Sequence, residues 1–407
     1  MHVIFVAPEF PSNQRQFVRG LHAAGGRVTG IGEAPFEALD GELQHWLYRY
    51  EQIGSVVDEQ ALLAAVRRIQ EQEWVDRLEA TVEAHIMSTA KVREAAGIPG
   101  TSVRTARLCR DKPAMKEALR EAGIPCAQSA GVASVAEMQA FADAVGYPLI
   151  AKPRDGAGAA ATSRVDNDRE LAQTAHEMGV DRGVSIAIEE FMEGHEGFYD
   201  TLCIDGKPVH DFATHYYPGV LEAMRTRWIS PQFVTTNRID TDPAYGEARE
   251  MGARVIEVLG IGTSATHMEW FFGPKGLKFS EIGCRPPGVG AWDLYCAGND
   301  MDLYHAWAEA IIHGRSSHTP SRRFAAGIVT LRPDRDGRII GYDGLQEALE
   351  AVGEWVIDSH FPATGSPTQP VEAGYMANAW IRLRHPDFNE VRRMLDMIGE
   401  RVQLRAG

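Results

Sequence analysis

Two glutamates open the chemical reading. Glu269 and Glu281 each follow a run with the period of two that marks a strand, and they flank the turn Gly273-Pro274-Lys275-Gly276. Carboxylates at facing strand ends share one site. Such hard oxygen ligands suit magnesium, which takes one or two carboxylates and fills its remaining positions with phosphate oxygens and water. The plain alternative is a pair of exposed strand glutamates. Arg285 follows Glu281 by four residues, and Pro286-Pro287-Gly288 pins its loop. A rigid arginine beside a metal pair holds a carboxylate or stabilises negative charge in a transition state.

The lysines come next. Lys152 ends a short apolar run and is followed by a loop of small residues, Asp155 to Thr162, containing Gly156, Gly158 and Ala159. Small residues let backbone N–H groups approach a phosphate, and a lysine leaving the strand supplies a point charge. The loop lacks the G-x-x-x-x-G-K-[ST] pattern, so a surface loop is the competing reading. Lys112, after Asp111 at a helix start, reads by itself as a surface lysine. Glu189-Glu190-Phe191-Met192 and then Glu196 leave another apolar strand. An extended hinge there can present backbone groups to an adenine edge, and Glu196 can accept from ribose hydroxyls. The alternative is an acidic strand exit with no ligand.

These residues need strands and helices to hold them. His2–Ala7 reads as a buried parallel strand, Arg15–Ala24 as a helix stopped by Gly25-Gly26, and Arg27–Ile31 as a second strand. Strand–helix–strand suggests an open α/β domain. No G-x-G-x-x-G follows the first strand, which argues against a dinucleotide site and against a nicotinamide oxidoreductase. Asp58–Thr81 has a helical pattern. Helices are expected at Pro113–Ala122, Val135–Val145 and Asp168–Met178, with strands at Pro148–Lys152, Ser163–Val165 and Val184–Phe191. Phe198–Ile204 and Lys207–Thr214 form a hairpin across Asp205-Gly206. Residues 215–238 show no period but carry His215, Tyr216, Tyr217, Arg225, Arg227 and Trp228, which offer a carboxylate clamp with a ring or apolar surface; packing or solvent exposure is the alternative. Ala244–Leu259 and Asp302–Ile312 read as helices. From Arg322 short strands alternate with helices, and Ser316–Arg323 is the expected boundary of an α+β tail.

Bulk properties narrow the class. The 407 residues are 44% hydrophobic and 24% charged, which suits two or three globular domains. A net charge of −15 repels phosphate backbones, so nucleic acid is not an expected partner. The five scattered cysteines contain no C-x-x-C pair, which points away from disulfides and structural zinc and toward a reducing cytoplasm. The start MHVIFVAPEF lacks the charged and long apolar regions of a signal peptide, and no run is long enough to span a bilayer.

In order, Lys112, Lys152 with its small-residue loop, Glu189 to Glu196, and Glu269 and Glu281 with Arg285 resemble the ATP-grasp superfamily over nearly the whole chain. The segment His267-Met268-Glu269 with Ser280 to Gly288 looks closest to its carboxylate–amine ligase branch, including enzymes that join amino acids. The resemblance implies an N-terminal Rossmann-like domain over 1–110, a two-lobed ATP-grasp fold over 111–320 with a lid lobe at about 125–190, and a small C-terminal α+β domain over 321–407. It also implies ATP and Mg2+ as cofactors. Lys112, Lys152 and the loop with Gly156, Gly158 and Ala159 would meet the phosphates. Glu189, Phe191 and Met192 would meet the adenine, and Glu196 the ribose. Glu269 and Glu281 would hold magnesium, Arg285 would stabilise the acyl phosphate, and Arg225, Arg227 and His267 would face the substrate. Many members carry Asn two residues after the second glutamate; this chain has Gly283 there. Small-molecule carboxylate and amine substrates, a closing lid and a homodimer are expected. A biotin-carboxylase-like or formyl-transfer enzyme, or a nucleotide-binding module without turnover, would share the same ATP site.

Overall fold

The computed structural model describes residues 1–154 and 161–407. The expected loop residues Gly156, Gly158 and Ala159 lie outside the described residues. His2–Val6 is buried along its whole length, as a central parallel strand requires. It pairs in parallel with Arg27–Gly32 on one side and Arg77–Glu79 on the other, and Arg49–Gln52 extends the sheet beyond Arg27–Gly32. Helix Gln14–Ala23 makes the crossover. Gly25, at φ +84, supplies the left-handed residue that turns the chain back toward the second strand.

One expectation for this part fails. The helix predicted to run to Thr81 stops at Gln70, and Arg77–Glu79 is a strand. Its single buried residue, Leu78, lies between two charged ones and leaves no period to read. Pairing with Val3–Phe5 makes it a strand.

A second sheet is antiparallel, in the order Ser129–Val132, Ile186–Glu190, Leu149–Pro153, Ser163–Val165. Met138 and Ala142 of helix Val135–Val145, with Leu171 and Ala175 of helix Asp168–Glu177, bury this sheet's apolar residues in a core of its own. This is the lobe that the sequence suggested as a lid.

The largest sheet has eight antiparallel strands. Their order is Gly276–Gly283, Ser264–Gly273, His195–Ile204, Lys207–Tyr217, Gln232–Thr235, Ala325–Leu331, Ala379–His385, Val356–His360. The segment without a period, 215–238, therefore contains structure. The hairpin strand continues to Tyr217, a short helix covers Val220–Ala223, and Gln232–Thr235 bridges to the C-terminal strands. That bridge explains why the α+β tail does not stand on a large sheet of its own: its strands extend the central one, beside a two-stranded ladder of Ile339–Asp343 and Gln403–Ala406. Among the described residues no helix is long and apolar enough to cross a membrane.

Candidate nucleotide and metal site

The hairpin register puts Glu269 directly opposite Glu281. On its other edge, strand Ser264–Gly273 sets His267 against Asp200, Glu269 against Phe198 and Phe271 against Glu196. Directly paired residues share a face, and so do residues two apart along a strand. Glu196, Asp200, His267, Glu269 and Glu281 therefore stand on one side of the sheet. A cavity of about 630 Å³ lies between that face and the lobe. Lys152, Glu189, Phe191 and Met192 line it from the lobe, and Glu196, Glu269 and Glu281 from the central sheet.

A chain of charges runs along one wall. Lys112 Nζ lies 3.5 Å and Lys152 Nζ 3.8 Å from Glu281 Oε2. Lys152 Nζ also lies 2.9 Å from Glu189 Oε2, which is 2.6 Å from Lys116 Nζ. Burial alone would raise the Glu189 carboxyl, but the Lys116 and Lys152 ammoniums more than offset it and hold it down to about 2. Burial brings Lys116 down to about 8 even against Glu189. Lys152 is shifted upward: burial opposes its charge, but Glu189 and Glu281 outweigh that.

Lys112 is not the surface lysine its local sequence suggested; it is 6% exposed. It is the first residue of helix Lys112–Glu121, whose start is capped by Asp111 accepting from Ala114 N–H at 3.2 Å. Arg154, two residues after Lys152, grips Asp111 at 2.8 Å and couples the helix to the lobe strand. Lys116, fully buried, was missed in the sequence. Its i,i+4 relation to Lys112 was the available signal, since that spacing stacks two side chains on one helix face.

The carboxylates on the opposite wall repel. Burial and the neighbouring Glu269 push the Glu196 carboxyl up to about 8, although Val220 N–H donates to its Oε2 at 2.6 Å. A hard dication here would relieve that repulsion, and the facing carboxylates of Glu269 and Glu281 could offer it oxygen donors. At the hinge, Phe191 N–H donates to Pro148 O at 3.2 Å, and Arg164 stacks over the Phe191 ring at 4.5 Å.

Beyond Glu281 the wall opens into a small recess of about 20 Å³. Lys112 and Glu281 border both spaces. Arg285 lies in the recess, its Nε donating to Glu83 Oε2 at 2.6 Å, and Glu83 also pairs with Arg110 at 3.2 Å. Glu83 was not anticipated; it is separated from Arg285 by 202 positions, and nothing local marks it. His267 borders the recess with Nδ1 2.8 Å from Asp200 Oδ1 and Nε2 3.6 Å from Glu269 Oε1. Burial opposes its charge, but Asp200 and Glu269 prevail and raise it to about 9.

The irregular segment divides. Arg225 borders the large cavity and donates to the Thr162 carbonyl at the end of the small-residue loop. Arg227 does not border it: its guanidinium pairs with Asp336 at 2.7 Å. Trp228 is 88% exposed. His215 is enclosed between His195 and Tyr245, and Tyr216 is buried. Arg227 therefore stands outside this cavity, and its partner comes from the C-terminal part, which local sequence does not reveal.

Comparison with known proteins follows the same lines. The family described as the ATP-grasp domain matches residues 117–299. An L-arginine-specific L-amino acid ligase of Bacillus subtilis is 28% identical over 252 residues, 60% of this chain and 60% of that protein. The alanine–anticapsin ligase of Bacillus subtilis strain 168 is 25% identical over 236 residues, 52% of this chain and 48% of that protein. The chain therefore spans roughly half to three fifths of the length of these curated relatives. The crystal structure of an L-amino acid ligase from Bacillus licheniformis superposes with a TM-score of 0.77 at 18% identity, covering 100% of this chain and 98% of that one. Residues 117–299 thus match the ATP-grasp domain family, and the chain has the fold of the superposed ligase structure.

Proposed function

We propose that this protein is an ATP- and Mg2+-dependent ligase that activates a small-molecule carboxylate as an acyl phosphate and joins it to an amine, giving ADP and phosphate. The observation that carries the reading is the wall shared by the two spaces: Lys112 and Glu281 border both the large cavity and the Arg285 recess. A nucleotide in the first would present its terminal phosphate to a carboxylate in the second. Glu269 and Glu281 would hold magnesium, which when bound supplies neutralisation and orientation of the phosphate oxygens.

Lys112 and Lys152 offset the repulsion between two anionic reactants. A substrate carboxylate oxygen bonds to the γ-phosphorus, the bond to the β–γ bridging oxygen breaks, and ADP leaves with that electron pair. The amine lone pair then bonds to the acyl carbon. The bond from carbon to the phosphate oxygen breaks, phosphate departs with its electrons, and the nitrogen gives up a proton to solvent. Arg285 holds the negative charge through both steps, with His267 beside it in the recess. The relatives named as amino acid ligases support an amino acid as the carboxylate.

The test is phosphate release with ATP, Mg2+ and a panel of amino acids, with one carboxylate labelled by ¹⁸O. ADP formation with label transferred to phosphate is the expected result. AMP formation, or phosphate without label, would sink the acyl-phosphate route. Glu281→Gln should lose turnover while its circular dichroism matches that of the parent.

A further inference from the structure

The chain between helix Leu303–His313 and strand Ala325–Leu331 gathers a second set of ligands. His305 and Glu309 stand one turn apart on the same helix face. Gly314, at φ +63, ends the helix and lets the chain fold back, which brings His318 over that face. His305 Nδ1 lies 2.9 Å from His318 Nε2, and the same Nε2 lies 3.8 Å from Glu309 Oε2. One donor atom from each residue falls within 4.8 Å of the others.

These side chains are positioned, not loose. Glu309 is 9% exposed, and its carboxylate accepts from Ser317 N–H at 2.9 Å and from Ser317 Oγ–H at 2.8 Å. Outer partners of this kind fix the orientation of a metal ligand. Buried His210 extends the network: its Nε2 lies 2.8 Å from Ser316 Oγ, which accepts from His318 N–H at 3.3 Å. His210 Nδ1 has no hydrogen-bond partner among the described residues.

The cluster lies away from the nucleotide site. His210 pairs with Leu202, four residues along the strand from Phe198, which faces Glu269. At about 3.3 Å per residue that is ~13 Å along the sheet. The ligase chemistry uses none of these residues.

We propose that His305, Glu309 and His318 bind a transition-metal dication of the zinc class. Imidazole nitrogens with one carboxylate suit Zn2+ and its neighbours, whereas Mg2+ takes oxygen donors. The two facing imidazole nitrogens share a single proton, and an ion takes its place as that proton moves to the outer nitrogen of its ring. With Zn–N bonds of about 2.0–2.1 Å, the nitrogens separate by a few tenths of an ångström, a small adjustment for a side chain on a connecting segment. His305 and His318 are partly exposed, which leaves the fourth position to water. The ion clips residues 314–324 to the helix and so fixes the entry of the strand that extends the central sheet.

The full, tag-free chain is stripped with a chelator, given excess Mg2+ to fill the carboxylate pair, and titrated with Co2+ and then Zn2+. The expected result is the absorption of low-coordinate Co2+ saturating at one equivalent, its displacement by Zn2+, and one Zn2+ retained per chain after gel filtration. His305→Ala and His318→Ala should lose that ion. Ser317→Ala, which keeps all three ligands, should weaken binding about tenfold. Glu281→Gln should bind as the parent does. Absence of both the absorption and the retained zinc in the parent chain overturns the proposal, whatever the variants do. So does binding that persists in His305→Ala or vanishes in Glu281→Gln.

Discussion

Glu189 is an ionised carboxylate with 3% exposure, and two ammoniums keep it so. Removing one partner from a buried ion pair leaves charge without compensation. Lys116→Met should therefore destabilise the fold by about 3 kcal/mol, read from the urea midpoint. It should also raise the KM for ATP by loosening Glu189 and Lys152; an unchanged stability would remove Lys116 from the set. Gly283 poses a different problem. A Cβ there would lie 3.3 Å from Glu83 Oε2 and 3.4 Å from Arg285 Cγ. The position where many ATP-grasp members carry Asn is here the space beside the Glu83–Arg285 pair. Gly283→Asn should displace Glu83, lowering kcat/KM for the carboxylate substrate while the KM for ATP holds. An active variant with better Mg2+ affinity would show instead that the space is free for a ligand.

At the scale of elements, the hairpin matters most. The turn alone would set Glu269 against Ser280, and a one-residue bulge between Glu269 and Trp270 brings it opposite Glu281, so the carboxylate pair depends on that bulge as well as on the turn. The neighbouring strand carries a second device. His215 Nδ1 lies 2.9 Å from His195 Nε2, and its Nε2 lies 2.8 Å from the Tyr245 hydroxyl. Burial, helped by His195 and Arg392, pulls the His215 pKa down to about 3. The unfolded chain takes up that proton near pH 6.5, and the folded chain resists until about pH 3. Stability from this group is therefore complete above pH 6.5 and is lost as pH falls toward 3. His215→Phe should flatten the fall of unfolding free energy between pH 6.5 and 4, measured by urea titration at several pH values. An identical slope would exclude His215 as its source.

The whole molecule closes on the cavity from two sheets, so a ligand there ties the lobe to the central body. A ligand that binds only the folded state stabilises it by mass action, about 2.7 kcal/mol at a hundredfold excess over Kd. ATP with Mg2+ should raise the melting temperature more than ATP with a chelator, and Glu269→Gln should reduce the difference. Equal shifts with and without Mg2+ would argue against the Glu269–Glu281 metal site. At this scale the sequence was least legible. That Glu269 and Glu281 flank one hairpin is readable from the turn, but their direct opposition is not: the turn alone would pair Glu269 with Ser280, and a one-residue bulge between Glu269 and Trp270 brings it opposite Glu281. Glu83 beside Arg285 was not readable either, because the contact joins the N-terminal sheet's surroundings to a loop 202 positions away. Nor was the pairing of Arg227 legible, its partner Asp336 lying in the C-terminal part.

By itself the sequence determined the period of most long elements, the hairpin that carries the two glutamates, and the order of lysine, hinge and carboxylates along the chain. These are local properties: a period records which face is buried, and a turn records which two strands lie side by side. Tertiary structure decided what lies against each face. It buried Lys112 and Lys116 around Glu189 and Glu281, made a strand of Arg77–Glu79, and joined Gln232–Thr235 to the C-terminal strands. Ion pairing and sheet pairing act through space, and the energy of a buried charge depends on partners that no local pattern names.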